Sequence, residues 1–240
     1  MVRIVVQTPF WQRYALSEAQ MDHMVALREA VKPEIQLRLH AVISEDEYIE
    51  MCFARLYIPI MTANLPLGRK GNVGMRYNER SQPDGVLMLG SDDFIDEAYL
   101  RAAVEALQAG IDIWGVADIY FYRPDTKAMI HWPGYPKSSP RHGEPIGAGR
   151  MLSRRFLDAC DWTPWAPNQS AAMDFSMMET FKSLAGLTLG TTTLASIGAF
   201  MCDVKTGTNQ TGWASLANHP EAKTVDPAQF AWMTEKVDNL

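Results

Sequence analysis

Hydrophobic positions along the first part of the chain fall into two alternating periods. Val2-Arg3-Ile4-Val5-Val6-Gln7-Thr8 is a β-branched run stopped by Pro9, as in a strand. Met21, Met24, Val25, Leu27 and Val31 recur at helical spacing, and Ser17 is placed to cap a helix from about Glu18 to Val31, which Pro33 breaks. Ile35 to Ile43 alternates and then becomes wholly apolar, a second strand. Ser44 with Glu47 has the spacing of a capping box for the next helix. A βαβα opening of this kind predicts a parallel sheet covered by helices. The polar segment Asn64–Asn72 reads as a connection, followed by a short helix from about Val73 to Arg80. The apolar run Gly85–Leu89 ends abruptly at Gly90-Ser91-Asp92-Asp93, and a strong helix is predicted over Ile95–Ala109, closed by Gly110.

The second half changes character. Ile111 to Tyr122 reads as a strand with an irregularity at Gly115, paired through a Pro124-Asp125 turn to Lys127–Trp132. That hairpin marks a switch from parallel to antiparallel construction. Pro133–Pro145 is rich in Pro, Gly and Ser and reads as a mobile loop. Gly147-Ala148-Gly149-Arg150 leads into a helix from Ser153 to Cys160. A second helix covers Ala171–Leu184, Thr188–Val204 is mostly β-like, and the tail from Asn209 is irregular. The expectation is one domain over 1–240, with a nucleotide-binding half (1–110) and an acceptor-side half (111–240).

Composition narrows the classes. The 240 residues are 47% hydrophobic and 21% charged, as in an ordinary globular protein, and the net charge of −6 gives no global basic field for non-specific nucleic-acid binding. Cys52, Cys160 and Cys202 form neither a disulfide framework nor a zinc motif, which fits a reducing cytoplasm. No signal peptide is visible, and Leu184–Phe200, interrupted by Gly and Thr, falls short of a membrane span. A cytoplasmic protein with no membrane partner is expected.

The chemistry concentrates where the apolar run meets two acids. A buried strand that stops at paired carboxylates sets charge at the carboxyl rim of the sheet, where open α/β sheets bind ligands. Hard oxygen donors suit Mg²⁺ or Mn²⁺, ions that commonly serve phosphates. There is no Gly-x-Ser-x-Gly elbow, no Walker loop and no Gly-x-Gly-x-x-Gly after the first strand. The five histidines show no metal-ligand spacing.

In this order, five segments resemble the GT-A glycosyltransferases, closest to the family-two-like group. They are the first strand ending at Thr8-Pro9, Gly68-Arg69-Lys70-Gly71-Asn72, Gly90-Ser91-Asp92-Asp93, Gly147-Ala148-Gly149-Arg150-Met151 and Met173-Asp174-Phe175. The resemblance implies a Rossmann-like mixed sheet flanked by helices, with a smaller antiparallel acceptor-side portion. It implies a nucleotide-sugar donor, with UDP the family's usual nucleotide, and Mn²⁺ or Mg²⁺ as cofactor. Asp92 and Asp93, with Ser91 beside them, would hold the metal and donor diphosphate, and His219 in the tail stands where some members add a ligand. Thr8, Pro9, Lys70, Asn72 and Arg76 would face the nucleotide. Gly147, Ala148 and Gly149 would leave room for the sugar. Asp174, with Glu179 as runner-up, would be the general base of an inverting transfer. The family's usual motif is Asp-x-Asp, and here Gly90 stands at its first acid.

Each residue also has a plainer role open to it. Ser91-Asp92-Asp93 and Asp174 could simply cap helices. The basic residues could be solvated, and Trp132, Trp162, Trp165 and Trp213 could be core rather than a sugar platform. Compact enzymes of this style occur in bacteriophage DNA modification, so a hydroxymethylated base in DNA is an alternative acceptor, with Lys137, Arg141, His142, Arg150, Arg154 and Arg155 as a phosphate-contacting patch. A nucleotidyltransferase and a non-catalytic nucleotide-sugar-binding module are the alternatives from other classes.

Overall fold

The computed structural model describes residues 1–207 and 212–238. In chain order the elements are β1 (Val2–Pro9), α1 (Tyr14–Ala30), β2 (Ile35–Ile43), α2 (Glu47–Ala54), β3 (Ile58–Met61), α3 (Leu67–Glu79), β4 (Gly85–Met88), β5 (Asp93–Ile95), α4 (Glu97–Gln108), β6 (Ile113–Val116), β7 (Ile119–Arg123), β8 (Ala128–Trp132), β9 (Met151–Ser153), α5 (Arg154–Ala159), α6 (Met173–Ser183), β10 (Leu189–Thr192), α7 (Leu194–Ile197), β11 (Met201–Val204), α8 (Trp213–Ala217), β12 (Lys223–Val225) and α9 (Ala231–Val237).

A seven-stranded sheet runs β10-β6-β9-β4-β1-β2-β3. β1 pairs parallel with β2 and β4, β2 with β3, and β10 with β6, while β9 lies antiparallel between β4 and β6. The central strand β1 is buried from Ile4 to Thr8. Its alternation sends Ile4 and Val6 into one hydrophobic cluster, under α1 and α4, and Val5 into another, with Met75, Leu152 and Phe156. A second sheet runs β12-β8-β7-β11-β5. It is antiparallel except where β11 pairs parallel with β7. The expected mixed α/β architecture is therefore present.

Several local expectations need correction. α3 begins at Leu67 rather than near Val73, so the glycines read as a connection lie in a helix. They are sites of close approach: a Cβ at Gly71 would come within 2.7 Å of the Trp165 ring, and one at Gly68 within 2.1 Å of Ala166 O. Ser17 lies inside α1 and shares a 3.0 Å hydrogen bond with the Tyr48 hydroxyl, since the helix already starts at Tyr14. The Ser44–Glu47 capping box does not form; α2 has no side-chain cap, and Ser44 Oγ is buried without a partner. The strand read over 111–122 is two strands, β6 and β7, one in each sheet. The segment after Arg150 forms β9 before α5, with Ser153 capping the helix by accepting from Phe156 N.

Candidate active site

The carboxyl end of β4 sits at the junction of the two sheets. The chain leaves β4, turns at Gly90–Asp92 and re-enters the second sheet as β5, beginning at Asp93. The turn does not cap α4. Asp96 takes that role, accepting from Tyr99 N at 2.8 Å, so Asp92 and Asp93 are left for other work. β11 lies antiparallel to β5 and sets Asp203 directly across from Asp93. Asp92, Asp93 and Asp203 each offer an oxygen within 4.8 Å of the others.

Gly90 now has a physical explanation. A Cβ there would lie 2.6 Å from Asp92 Oδ1 and 2.9 Å from Asp93 Oδ2, so a side chain at this position collides with the carboxylates themselves. The third acid comes instead from β11. Sequence reasoning missed Asp203 because more than a hundred residues separate it from the pair. The signal was present: one acid inside an apolar strand, Met201-Cys202-Asp203-Val204, followed by Lys205.

Burial and like charge act together here. Burial first, then Asp92 and Asp203, pushes the Asp93 carboxyl well above its ordinary range. Burial and Asp92 push Asp203 up to about 7, against the opposing effect of Lys205. Lys205 Nζ donates to Asp203 Oδ2 at 2.6 Å, and Arg13 donates to Asp92 Oδ2 at 2.7 Å and to Ser91 Oγ at 2.8 Å. Asp203 Oδ1 is buried without a hydrogen-bond partner. Three hard oxygen donors, one of them orphaned, fit a divalent cation such as Mn²⁺ or Mg²⁺.

The opposite wall is built from the small-residue turn and α6. A Cβ on Gly147 would lie 2.7 Å from Asp174 Cβ, so glycine lets the acid approach the turn. Asp174 Oδ2 accepts from Tyr135 Oη at 3.1 Å and from Arg141 Nη1 at 2.5 Å. Burial raises the Asp174 carboxyl, but Arg141, Arg150 and Tyr135 together outweigh it and hold the group below the usual carboxylate range. Arg150, fully buried, donates to the carbonyls of Ile146, Pro145 and Asp174 and ties the turn to α6. Burial pushes its guanidinium down to about 10. Tyr99 Oη donates to Gly149 O at 2.8 Å from below. A cavity of about 350 Å³ opens between the walls, lined by Asp203 and Lys205 on one side and by Gly147, Ala148, Tyr135 and Trp132 on the other.

The remaining sequence candidates are placed as follows. Thr8 is buried, with Oγ1 unpartnered, and Pro9 is exposed at the end of β1. Lys70 is buried, donates to Phe10 O and Asn64 Oδ1, and is pushed down to about 8 by burial. Asn72 is committed to the backbone of Trp165, giving Nδ2 to its carbonyl and accepting from its amide. Arg76 is exposed and lies 3.6 Å from Asp161. Glu179 is exposed and lies 3.7 Å from Lys182, off the face that carries Asp174. His219 stands outside the carboxylate group and packs edge-on against Trp132, 6.0 Å between ring centres. Trp162 and Trp165 are core, whereas Trp132 faces the cavity. The basic stretch does not form a continuous face: Arg150 is wholly buried, Arg141 is held by Asp174 and Glu144, and Arg155 by Asp112.

No protein-family model matches the chain, and no curated protein matches it. Solved structures do. TarS 1–349 of S. aureus matches with a TM-score of 0.55 and 13% identity over 82% of this chain, which spans 62% of that chain. Glucosyl-3-phosphoglycerate synthase of Mycobacterium tuberculosis, in complex with Mn²⁺, UDP and glucosyl-3-phosphoglycerate, matches with a TM-score of 0.55 and 14% identity over 90% of this chain and 75% of its own. The same enzyme with Mn²⁺, UDP and phosphoglyceric acid matches at 0.54 and 14% over 97% and 78%. The fold is that of the GT-A glycosyltransferases. Among the described residues, no helix is long and apolar enough to cross a membrane.

Proposed function

We propose that this chain is a divalent-metal-dependent glycosyltransferase that moves a sugar from a nucleotide-sugar donor, a UDP-sugar, to a hydroxyl acceptor with inversion. The observation that carries the reading is the cavity whose one wall bears Asp203, of the three-carboxylate group, and whose other wall bears Gly147 and Tyr135, both against Asp174. An inverting transfer needs those two functions on opposite sides of the sugar. The Mn²⁺ and UDP in the similarly folded synthase support the same donor chemistry.

Asp92, Asp93 and Asp203 would hold the metal, which when bound offsets the charge that develops on the departing diphosphate. Gly147 and Ala148 leave space beside it for a sugar ring, and the Trp132 face offers apolar packing for its CH groups. Asp174, kept ionised by Arg141 and aligned by Tyr135, would accept the proton of the incoming hydroxyl. Arg150 holds the Asp174 backbone against the turn, so base and sugar pocket move as one body. Three free cysteines accord with a cytoplasmic setting. The dispersal of the basic stretch leaves the hydroxymethylated-DNA acceptor without the phosphate-contacting patch read for it from the sequence.

A thermal-shift screen of nucleotide sugars with and without Mn²⁺ tests the reading. A UDP-sugar is expected to raise the melting temperature by several degrees when Mn²⁺ is present and by clearly less without it, as tighter ligation of the folded state requires. Shifts indifferent to Mn²⁺ would remove the metal from the scheme.

A further inference from the structure

Two of the three carboxylates, Asp92 and Asp203, already have a cation of their own. Arg13 spans Asp92 and Ser91, and Lys205 holds Asp203, both with little solvent around them. Arg13 is placed there by an unusual turn. Gln12 and Arg13 both take left-handed backbone, at φ of 53 and 50°, a conformation costly for two successive non-glycine residues. The turn is anchored from α2 and the loop before it: Gln12 N donates to Glu45 Oε2 at 2.8 Å, and Gln12 O accepts from the Tyr48 hydroxyl. A strained turn held at both ends presents one guanidinium to the acid cluster.

Two monovalent cations carry the same charge as one divalent ion. A metal that enters alone must therefore displace Arg13 and Lys205 or lie among four positive charges facing three acids, at separations where charges interact strongly. Both side chains also border a second cavity of about 760 Å³, lined further by Tyr14, Arg123 and Trp213. The first turn of the long helix α1 faces this space, and no side chain caps its amides. Arg13 and Lys205 thus have somewhere to turn, into a space whose other two charged side chains, Arg123 and Asp125, pair with each other at 2.7 Å.

We propose that Arg13 and Lys205 are built-in counter-cations that exclude a lone divalent ion and transfer to the phosphates of the nucleotide, so that metal and nucleotide bind as a coupled pair. This rests on the metal-dependent reading of the same site and adds an order of entry to it. A diphosphate supplies the negative charge that draws both cations off the carboxylates, and the vacated oxygens become ligands. By linkage the coupling is reciprocal: Mn²⁺ tightens UDP by the factor by which UDP tightens Mn²⁺.

Calorimetric titration of the whole chain with Mn²⁺ alone, UDP alone and Mn²⁺ at saturating UDP tests this, in the wild type, Arg13→Gln and Lys205→Gln. The wild type is expected to bind Mn²⁺ about tenfold more tightly with UDP than without it. Each variant is expected to bind Mn²⁺ alone more tightly than the wild type, to bind UDP alone more weakly, and to lose most of the coupling. A merely structural role moves Mn²⁺ affinity the other way or leaves it unchanged, and that result in both folded variants overturns the proposal. Absence of Mn²⁺ binding in every protein, even at saturating UDP, instead overturns the metal reading beneath it.

Discussion

Gly147 and Asp174 show how closely the site is built at the scale of single residues. One methyl group at 147 would meet the Asp174 Cβ at 2.7 Å, in backbone that Arg150 holds from the other side. Gly147→Ala is therefore expected to push the carboxylate off line and lower kcat by about a hundredfold, the cost of an ångström-scale misplacement. UDP affinity in the presence of Mn²⁺ should stay unchanged, because the metal side is untouched. Asp174→Asn should show the same division with a loss of about a hundredfold or more. Steady-state kinetics beside UDP titration separates these outcomes, and unaltered kcat in Asp174→Asn would exclude it as the base. Asp92, Asp93 and Asp174 were legible in the sequence because each follows an apolar run or opens a helix. Asp203, Arg13 and Lys205 were not, because only the pairing of β5 with β11 and the turn after β1 bring them to the pair.

At the scale of elements, α1 is fastened to the second sheet through His23. Its Nε2 lies 2.7 Å from Ile95 O on β5, and its ring packs beside Phe94 and Trp232. Burial pushes the imidazole down to about 4, with Lys236 adding in the same sense and the bond to Ile95 opposing it. The folded pKa is thus depressed below the ordinary value of 6.5. Stability from this group is complete above about pH 6.5 and falls away as pH drops toward 4, by about 3 kcal/mol at most. His23→Gln keeps an amide donor for Ile95 O and removes the titration. Urea melts between pH 7 and 4 are expected to show a shallower decline in the variant, and parallel curves would assign the acid sensitivity elsewhere. Element type was legible wherever periodicity was strong, as in β1, β2, α1, α4 and the β7–β8 hairpin. It failed at the start of α3, where Gly68 and Gly71 read as part of a connection but serve close packing against Ala166 and Trp165.

At the scale of the whole molecule, the site is a product of two sheets meeting. β4 carries the chain out of the first sheet, β5 receives it in the second, and β11 returns across β5 with the third acid. The sequence made the βαβα half and the switch to antiparallel pairing legible. It could not show that residues 111–122 divide between the sheets, since a chain that bends at Ala117–Asp118 keeps the same apolar pattern on both sides. At the junction a Cβ on Gly90 would meet the Asp92 and Asp93 carboxylate oxygens as they stand, and β11 brings a third acid to the pair from outside the motif. The most direct test of this account is UDP release from a panel of UDP-sugars by the wild type and Asp203→Asn, with Mn²⁺ and with EDTA. The account expects release by the wild type that needs Mn²⁺, stops with EDTA and falls about a hundredfold in Asp203→Asn, the scale of losing charge stabilisation at a leaving group. Equal release by both proteins, or release indifferent to EDTA, would contradict it.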